Sequence, residues 1–193
     1  MNEIMLSVRP KWCEKICSGE KTIEVRKTRP KIETPFKCYI YETKDSGKKG
    51  KVIGEFTCDR IYKLETQSPG GSYYVKGEDQ ATTNDVARQS CLFLKDMHEY
   101  LQSKGGYGWH ISYLKIYDKP KQLSDFYVDD KEAITGCKHR FRGGQPESVT
   151  QHGGWIKGSY CCMKSGEPEW CDKCLKKPLV KPPQSWCYVE STK

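Results

Sequence analysis

The sequence has no long apolar run, no internal repeat and no low-complexity tract. Only 36% of its 193 residues are hydrophobic, and no stretch of them approaches the roughly 18 to 20 residues that a membrane span requires. The first residues, Met1-Asn2-Glu3, lack the basic and then apolar layout of a secretory signal. These absences predict a soluble, cytoplasmic protein with no membrane partner.

Two common zinc patterns are missing as well. No pair of the four histidines has the spacing of a DNA-reading zinc finger, and the His-x-Glu and Pro-Cys-x-x-Cys combination of zinc deaminases is absent. Cysteine is nevertheless abundant: the chain has eleven, six of them in residues 137–193. We do not expect a disulfide scaffold, because the count is odd, the chain is long enough to form its own core and no export signal is visible.

The late cysteines have the spacing of metal ligands. Cys171 and Cys174 form a Cys-x-x-Cys pair, by which one tight turn directs two thiolates at a tetrahedral zinc ion. Residues 136–177 have little helical or strand periodicity, so they need such a cross-link in order to fold. Free thiols or a redox pair are the alternative, and His139 or His152 could replace one thiolate. The predicted ligands of this structural Zn²⁺ are Cys137, Cys171, Cys174 and one of the adjacent Cys161 and Cys162.

Hydrophobic patterns in the first two thirds of the chain predict short strands and two helices. The first helix covers residues 11–18 and ends at Gly19 in a left-handed conformation. The second runs without interruption from about residue 83 to 103, because its apolar positions keep the 3.6-residue period. Gly54 indicates a bulge or a close backbone approach within a strand, and the isolated cysteines, Cys17 included, are expected in the core. The predicted strands are 4–8, 22–27, 38–41, 51–64, 109–117 and 185–189.

Positive charge is concentrated between Arg9 and Lys31, where eight basic residues meet three acidic ones in a chain of net charge +8. A solvated basic face is one interpretation, and an anionic ligand such as nucleic acid is the other. Each aromatic candidate for base stacking, Trp109 above all, has core burial as its alternative. The predicted nucleic-acid-binding residues are Arg9, Lys11, Lys21, Glu24, Arg26, Lys27, Arg29, Tyr41 and Trp109, with Lys31, Tyr39 and Tyr107 as further candidates.

The segment Leu6-Ser7-Val8-Arg9-Pro10, a short helix and then Ser18 to Lys27 together resemble the opening of ASCH domains, which belong to the PUA-like β-barrel group. The Gly-x-Lys-x-x-Glu-x-Arg core of the family signature is present here. Residues 108–118 and 182–189 are also similar to ASCH-containing proteins common in bacteria and their prophages. The signature residues are Gly19, Lys21, Glu24 and Arg26.

The resemblance implies an α+β fold, with a small PUA-like β-barrel, flanking helices and a cleft lined by the signature. With the cysteine cluster, it predicts a barrel over residues 1–128, a Cys-rich, zinc-stapled and loop-rich lobe over 129–180, and a closing strand in 181–193 that returns to the barrel. The family is associated with RNA binding. The leading prediction is therefore an RNA- or nucleotide-binding module with a basic cleft around the signature.

The resemblance also implies an alternative, a hydrolase of the amidohydrolase or ribonuclease type acting on a modified nucleoside or nucleic acid. Some single-domain members hydrolyse acetylcytidine, with a lysine as base, a threonine as nucleophile and an acidic residue before the long helix. Lys21 matches the lysine, and Glu78 or Asp79 stands where the acid would be, but Glu24 replaces the threonine. A glutamate beside two cations is more suited to ion pairing, or to acting as a base on water, than to nucleophilic attack. Thr22 is the remaining hydroxyl on that strand face.

Two further interpretations stay open. Lys21, Glu24 and Arg26 could form only a structural set of ion pairs. The chain could also be an adaptor whose zinc lobe binds a protein partner.

Overall fold

The computed structural model describes residues 3–44, 50–66, 73–76, 82–102, 104–129, 162–164, 167–169 and 176–191. The chain divides into two compact units. The first comprises Met1–Leu123 and Lys181–Tyr188, and the second comprises Ser124–Val180 and Val189–Lys193. Among the described residues, no helix is both long and apolar enough to cross a bilayer.

The first unit contains three helices, α1 (Pro10–Cys17), α2 (Thr83–Gln89) and α3 (Leu94–Leu101). Its strands are β1 (Glu3–Val8), β2 (Ile23–Arg26), β3 (Phe36–Glu42), β4 (Lys51–Cys58), β5 (Ile61–Thr66), β6 (Tyr73–Lys76), β7 (Gly106–His110) and β8 (Ser112–Lys121). A 3₁₀ helix at Leu123–Asp125 begins at the last residue of this part of the first unit. The second unit holds the strands β9 (Phe126–Asp129), β10 (Cys162–Lys164), β11 (Glu167–Glu169) and β12 (Lys176–Pro178). The last strand, β13 (Trp186–Ser191), begins in the first unit and ends in the second.

In one sheet of the first unit, β1 pairs with β3 in parallel orientation. The next two pairs, β3 with β4 and β4 with β8, are antiparallel. The β4–β8 register shifts on both sides of Gly54. A Cβ at Gly54 would lie 2.5 Å from the Lys115 carbonyl oxygen, so the backbones can approach only because this residue has no side chain. The predicted close approach at Gly54 is confirmed.

The second sheet has the strand order β2-β7-β5-β6 and two different faces. On one face, Ile23 and Val25 form a core cluster with residues of α2 and α3, among them Val86 and Met97. The opposite face carries Trp109, which is fully buried in a cluster with residues of β1, β3 and β4. Because side chains alternate along a strand, Glu24 and Arg26 of β2 lie on the Trp109 face, between the two sheets.

The fold class is confirmed as α+β, but the predicted closed barrel is wrong. In the described part of the chain, the strands of the first unit form separate open sheets. The chain passes from one sheet to the other at Asp59–Arg60, between β4 and β5, and again at Ile111, between β7 and β8. In a closed barrel, the hydrogen bonding between strands would continue around the whole set of strands. Here it is interrupted at these two points, where the chain changes sheet.

The single long helix predicted over 83–103 is also wrong, because the chain leaves the helical conformation after α2. Thr82 caps α2 through a reciprocal capping box with Asp85. The helix ends at Gln89 with Ser90 as its C-cap, and Cys91 then adopts a left-handed φ of 55°. The apolar period continues through this turn, since both helices contribute to the same core cluster, and periodicity alone cannot reveal the break.

The cysteines of the first unit differ in their environments. Cys13, Cys38 and Cys58 are buried as predicted, whereas Cys17, one helical turn after Cys13, is exposed. The helix α1 buries only Cys13 and Ile16, so its apolar stripe is narrower than the sequence indicates. Gly19, just past this helix, has the predicted positive φ of 77°.

Candidate functional site

Three charged side chains of the signature form one buried group, which we call the motif cluster: Lys21, Glu24 and Arg26. The Lys21 ammonium lies 3.2 Å from Glu24 Oε2, and Arg26 Nη2 lies 2.8 Å from Glu24 Oε1. The exposed fractions of the three side chains are 2%, 9% and 9%. The two cations and one carboxylate leave a formal charge of +1 in a site almost closed to water.

The break between α2 and α3 holds Lys21 in place. Because α2 ends at Gln89, the Ser90 carbonyl lies outside the helical ladder and is available to another donor. The Lys21 ammonium donates to this oxygen at 2.7 Å and lies 5.1 Å from the centroid of the Trp12 ring. The turn that overrides the predicted long helix therefore supplies an acceptor for a buried cation.

Arg26 is held by the start of the chain and by a segment near its end. Its Nη2 donates to the Ser7 carbonyl at 2.6 Å, and its Nη1 donates to Ser185 Oγ at 3.3 Å. The backbone N–H of Ser7 in turn donates to the Ser185 carbonyl at 3.0 Å. One guanidinium thus joins three segments that are far apart in sequence.

Two buried N–H donors beside this arrangement have no acceptor. Among the described residues, the buried side-chain N and O atoms without a hydrogen-bond partner are Arg26 Nε and Trp109 Nε1. Trp109 lies directly opposite Glu24 in the β2–β7 ladder, so both residues face the space between the sheets. An unpaired buried donor costs free energy unless a ligand or a water molecule accepts from it.

Tyr100 lies on α3 and is partly buried. Burial raises the pKa of its hydroxyl, which also lies within electrostatic range of Glu24, Arg26 and Arg9. The ammonium of Lys27 lies 5.3 Å from the centroid of the Tyr100 ring. Since 40% of Tyr100 is exposed, its ring is accessible at the surface beside Lys27.

An open pocket follows the motif strand directly. Its volume is about 600 Å³. Three cations and one carboxylate carry its charge, so its formal charge is positive, and Tyr107 contributes to its lining. The lining residues are Lys27, Thr28, Arg29, Pro30, Lys31, Glu33 and Tyr107.

The predicted nucleic-acid-binding residues occupy three kinds of position. Arg9, Lys11, Lys27 and Arg29 are exposed, and Lys21, Glu24 and Arg26 form the buried cluster. Tyr41 and Trp109 lie in the core at 3% and 0% exposure, so neither ring offers a face for stacking. The Trp109 ring packs against Phe36 and Trp186 instead, at 5.8 Å and 6.0 Å between centroids, and burial of both residues corrects the predicted stacking role.

The candidates for the hydrolase alternative are only partly described. Thr22 Oγ1 interacts with Gln89 Oε1 at 3.3 Å, and its carbonyl accepts from the Ile111 amide. Glu78 and Asp79 lie outside the described residues.

The predicted zinc ligands Cys137, Cys161, Cys171 and Cys174 also lie outside the described residues, as do His139 and His152, and only the backbone of Cys162 is described. Within the described ranges, no three acidic, cysteine or histidine side chains are close enough together to bind a metal ion.

Sequence reasoning did not identify four residues of this region as site residues. Trp12 was predicted only as part of a helix face, and Ser7, Ser90 and Ser185 were not singled out. The last three act through a carbonyl oxygen or a hydroxyl. A local pattern carries no signal for such contacts, because any residue can supply a carbonyl.

Comparison with known proteins gives one family. The sequence profile of the ASCH domain matches residues 6–112. No curated protein matches the chain.

Three solved structures of one protein are similar to this chain. The crystal structure of ASCH from Zymomonas mobilis has 19% identity and a TM-score of 0.48, covering 63% of this chain and 74% of that chain. A Tyr-to-Phe mutant of that protein has 19% identity and a TM-score of 0.46, with 64% and 77% covered. A Ser-to-Ala mutant has 18% identity and a TM-score of 0.43, with 75% and 84% covered.

Proposed function

This chain belongs to the ASCH domain family, whose members are in general RNA-binding, PUA-like modules, and we propose that it binds RNA or a nucleotide at the motif cluster and the adjoining basic pocket. The observation that carries the proposal is the continuity of the two features. Arg26 ends β2, and the pocket begins at the next residue, Lys27. A ligand in the pocket would therefore lie next to the buried cluster.

The chemistry of the motif cluster suits a nucleobase with its attached phosphate. The carboxylate of Glu24 accepts from both cations and has further lone pairs for a base amine, such as the exocyclic amine of cytosine. Arg26 Nε is a donor that still needs an acceptor, and a base carbonyl offers one. The excess positive charge favours an anionic ligand over a neutral one.

The first test measures, by fluorescence anisotropy, the binding of single-stranded RNA and of free nucleotides to wild type and to Glu24→Gln. Glutamine keeps the shape of the side chain and one acceptor but removes the charge. We expect affinity to fall by about tenfold, equivalent to about 1.4 kcal/mol. Glu20→Gln is the matched control, because Glu20 belongs to the same motif but is exposed and pairs only with the surface residues Lys15 and Ser18 in the described structure. Equal affinities for wild type and Glu24→Gln would contradict the site assignment.

A hydrolase is the second candidate, favoured by the contact of 3.2 Å between Lys21 and Glu24 in a nearly dry site. Such a pair can hold a proton between a base and a substrate. Acylated nucleosides and RNA should be incubated with wild type and with Lys21→Met, and the products measured by mass spectrometry. Turnover by wild type that Lys21→Met lacks would support the hydrolase, and no turnover by wild type would reject it.

For the cysteine-rich segment, we propose a structural zinc, with a protein-binding adaptor as the competing role of that segment. Salt dependence separates the adaptor from the RNA-binding module, since phosphate contacts release counterions and weaken steeply with added salt. RNA binding that is absent or independent of salt would favour the adaptor.

A further inference from the structure

From the pocket beside β2, we infer that the ligand is a single-stranded polynucleotide whose backbone phosphates lie along residues 27–31, and not a free nucleoside. This inference rests on the proposed function. It adds to the motif cluster a phosphate-binding subsite, formed by Arg29 and Lys31, and a base-stacking position at Tyr107.

The pocket has the positive charge that binding of a phosphate backbone requires, and we call the row of cations at Lys27, Arg29 and Lys31 the phosphate track. Its cations stand at alternate positions, Lys27, Arg29 and Lys31, and a single carboxylate, Glu33, opposes them. Arg29 and Lys31 are exposed, so their charges are available to a ligand in the pocket. A small carboxylate ligand needs one or two cations, whereas three cations in a row suit a repeated negative charge.

The segment that carries these cations is held at two points by side chains of β13. Trp186 Nε1 donates to Thr28 Oγ1 at 3.0 Å, and the Lys31 amide donates to the Tyr188 hydroxyl at 2.7 Å. Pro30, between them, is buried. The segment is therefore ordered before any ligand binds, which lowers the entropic cost of binding.

Tyr107 joins the pocket to the motif cluster. It lies opposite Arg26 in the β2–β7 ladder, packs against the core and lines the pocket. An aromatic ring at this point can stack on a base that follows the one at the cluster. Because bases are accessible for stacking only when unpaired, this arrangement favours a single strand over a duplex.

The experiment compares ligand length and pocket charge in the full chain. The ligands are a mononucleotide, a single strand of eight nucleotides, within the range of about 4–16 for single-strand sites, the corresponding duplex, and inorganic polyphosphate of the same charge. The proteins are wild type, Arg29→Glu with Lys31→Glu, and a matched double reversal, Lys115→Glu with Lys119→Glu, on exposed positions of β8.

We expect wild type to bind the eight-nucleotide strand about tenfold more tightly than the mononucleotide, because additional phosphates are neutralised. The pocket variant should lose this gain, and its log–log salt slope should fall by about 1.4, or about 0.7 for each phosphate contact removed. Its affinity for the mononucleotide should fall by less than its affinity for the eight-nucleotide strand, because the mononucleotide has fewer phosphate contacts to lose. The β8 variant should behave as wild type.

The outcomes separate this inference from the proposed function. If Glu24→Gln weakens mononucleotide binding while the pocket variant binds the long strand as well as the β8 variant does, the cluster is the site and the phosphate track is wrong. Equal affinity for the duplex or for polyphosphate would also overturn the inference. If wild type binds none of the ligands, both the proposed function and the inference fail.

Discussion

Replacing the buried Glu24 by alanine should destabilise the protein far more than the same replacement of the exposed Glu20, which lies within the same motif. Glu24 is the only carboxylate in ion-pair contact with Lys21 and Arg26 in the described structure, at 3.2 Å and 2.8 Å. Its removal leaves two cations side by side, with side-chain exposures of 2% and 9%. Uncompensated charges in such a position can neither be hydrated nor be screened by salt.

The expected cost follows from these contacts. Removing one partner of a buried ion pair destabilises proteins by about 3–5 kcal/mol. Lys21 keeps the Ser90 carbonyl and Arg26 keeps the Ser7 carbonyl, so the lower end, about 3 kcal/mol, is expected here. Glu24→Gln retains the shape and one acceptor and should cost about 2 kcal/mol, the value of a hydrogen bond to a charged group.

Urea unfolding followed by tryptophan fluorescence measures the difference, because the Trp109 and Trp186 rings lie 6.0 Å apart in the same core. The control is Glu20→Ala, which breaks an ion pair of 2.7 Å between side chains that are 41% and 59% exposed. Its unfolding midpoint should equal that of wild type, since exposed pairs contribute little. If Glu24→Ala and Glu20→Ala unfold at the same urea concentration, the motif cluster is not the buried ion-pair group described above.

Three further predictions concern other groups. Burial raises the pKa of Asp59, but the hydrogen bond and charge of His110 outweigh it and lower that pKa overall. The contact between Asp59 and His110 therefore stabilises the fold fully at pH values above the ordinary Asp pKa of about 3.9, and this contribution is lost as pH falls through the lowered pKa. An NMR titration should show a higher Asp59 pKa in His110→Asn, and an unchanged value would refute the contact. Maleimide should label Cys17 before Cys13 and Cys58 in peptide maps, because Cys17 is exposed whereas burial raises the pKa of the Cys58 thiol to about 12; equal labelling would contradict the packing of α1. Elemental analysis of protein purified without added zinc should find about one zinc per chain, and a value near zero would reject the structural zinc.

Local patterns predicted the features that depend on neighbouring residues. The strand that leads into α1, the left-handed Gly19 and the close approach at Gly54 all follow from steric preferences within a few positions. The helix break at Ser90 and Cys91 was not predictable in the same way. Both sides of the break face one core, so the hydrophobic period stays intact although the backbone turns.

The charge balance, the signature from Gly19 to Arg26 and the membership of the ASCH domain family are all readable from the order of residues alone. Which of these groups contact one another depends on the folded chain. Folding buries Trp109 in the core, where its ring cannot stack on a base. It also brings Ser90 to Lys21 across 69 positions of sequence and Ser185 to Arg26 across 159 positions. The physical reason is that burial and long-range hydrogen bonds depend on how distant segments pack, and a carbonyl oxygen that satisfies a buried lysine has no signature in the local sequence.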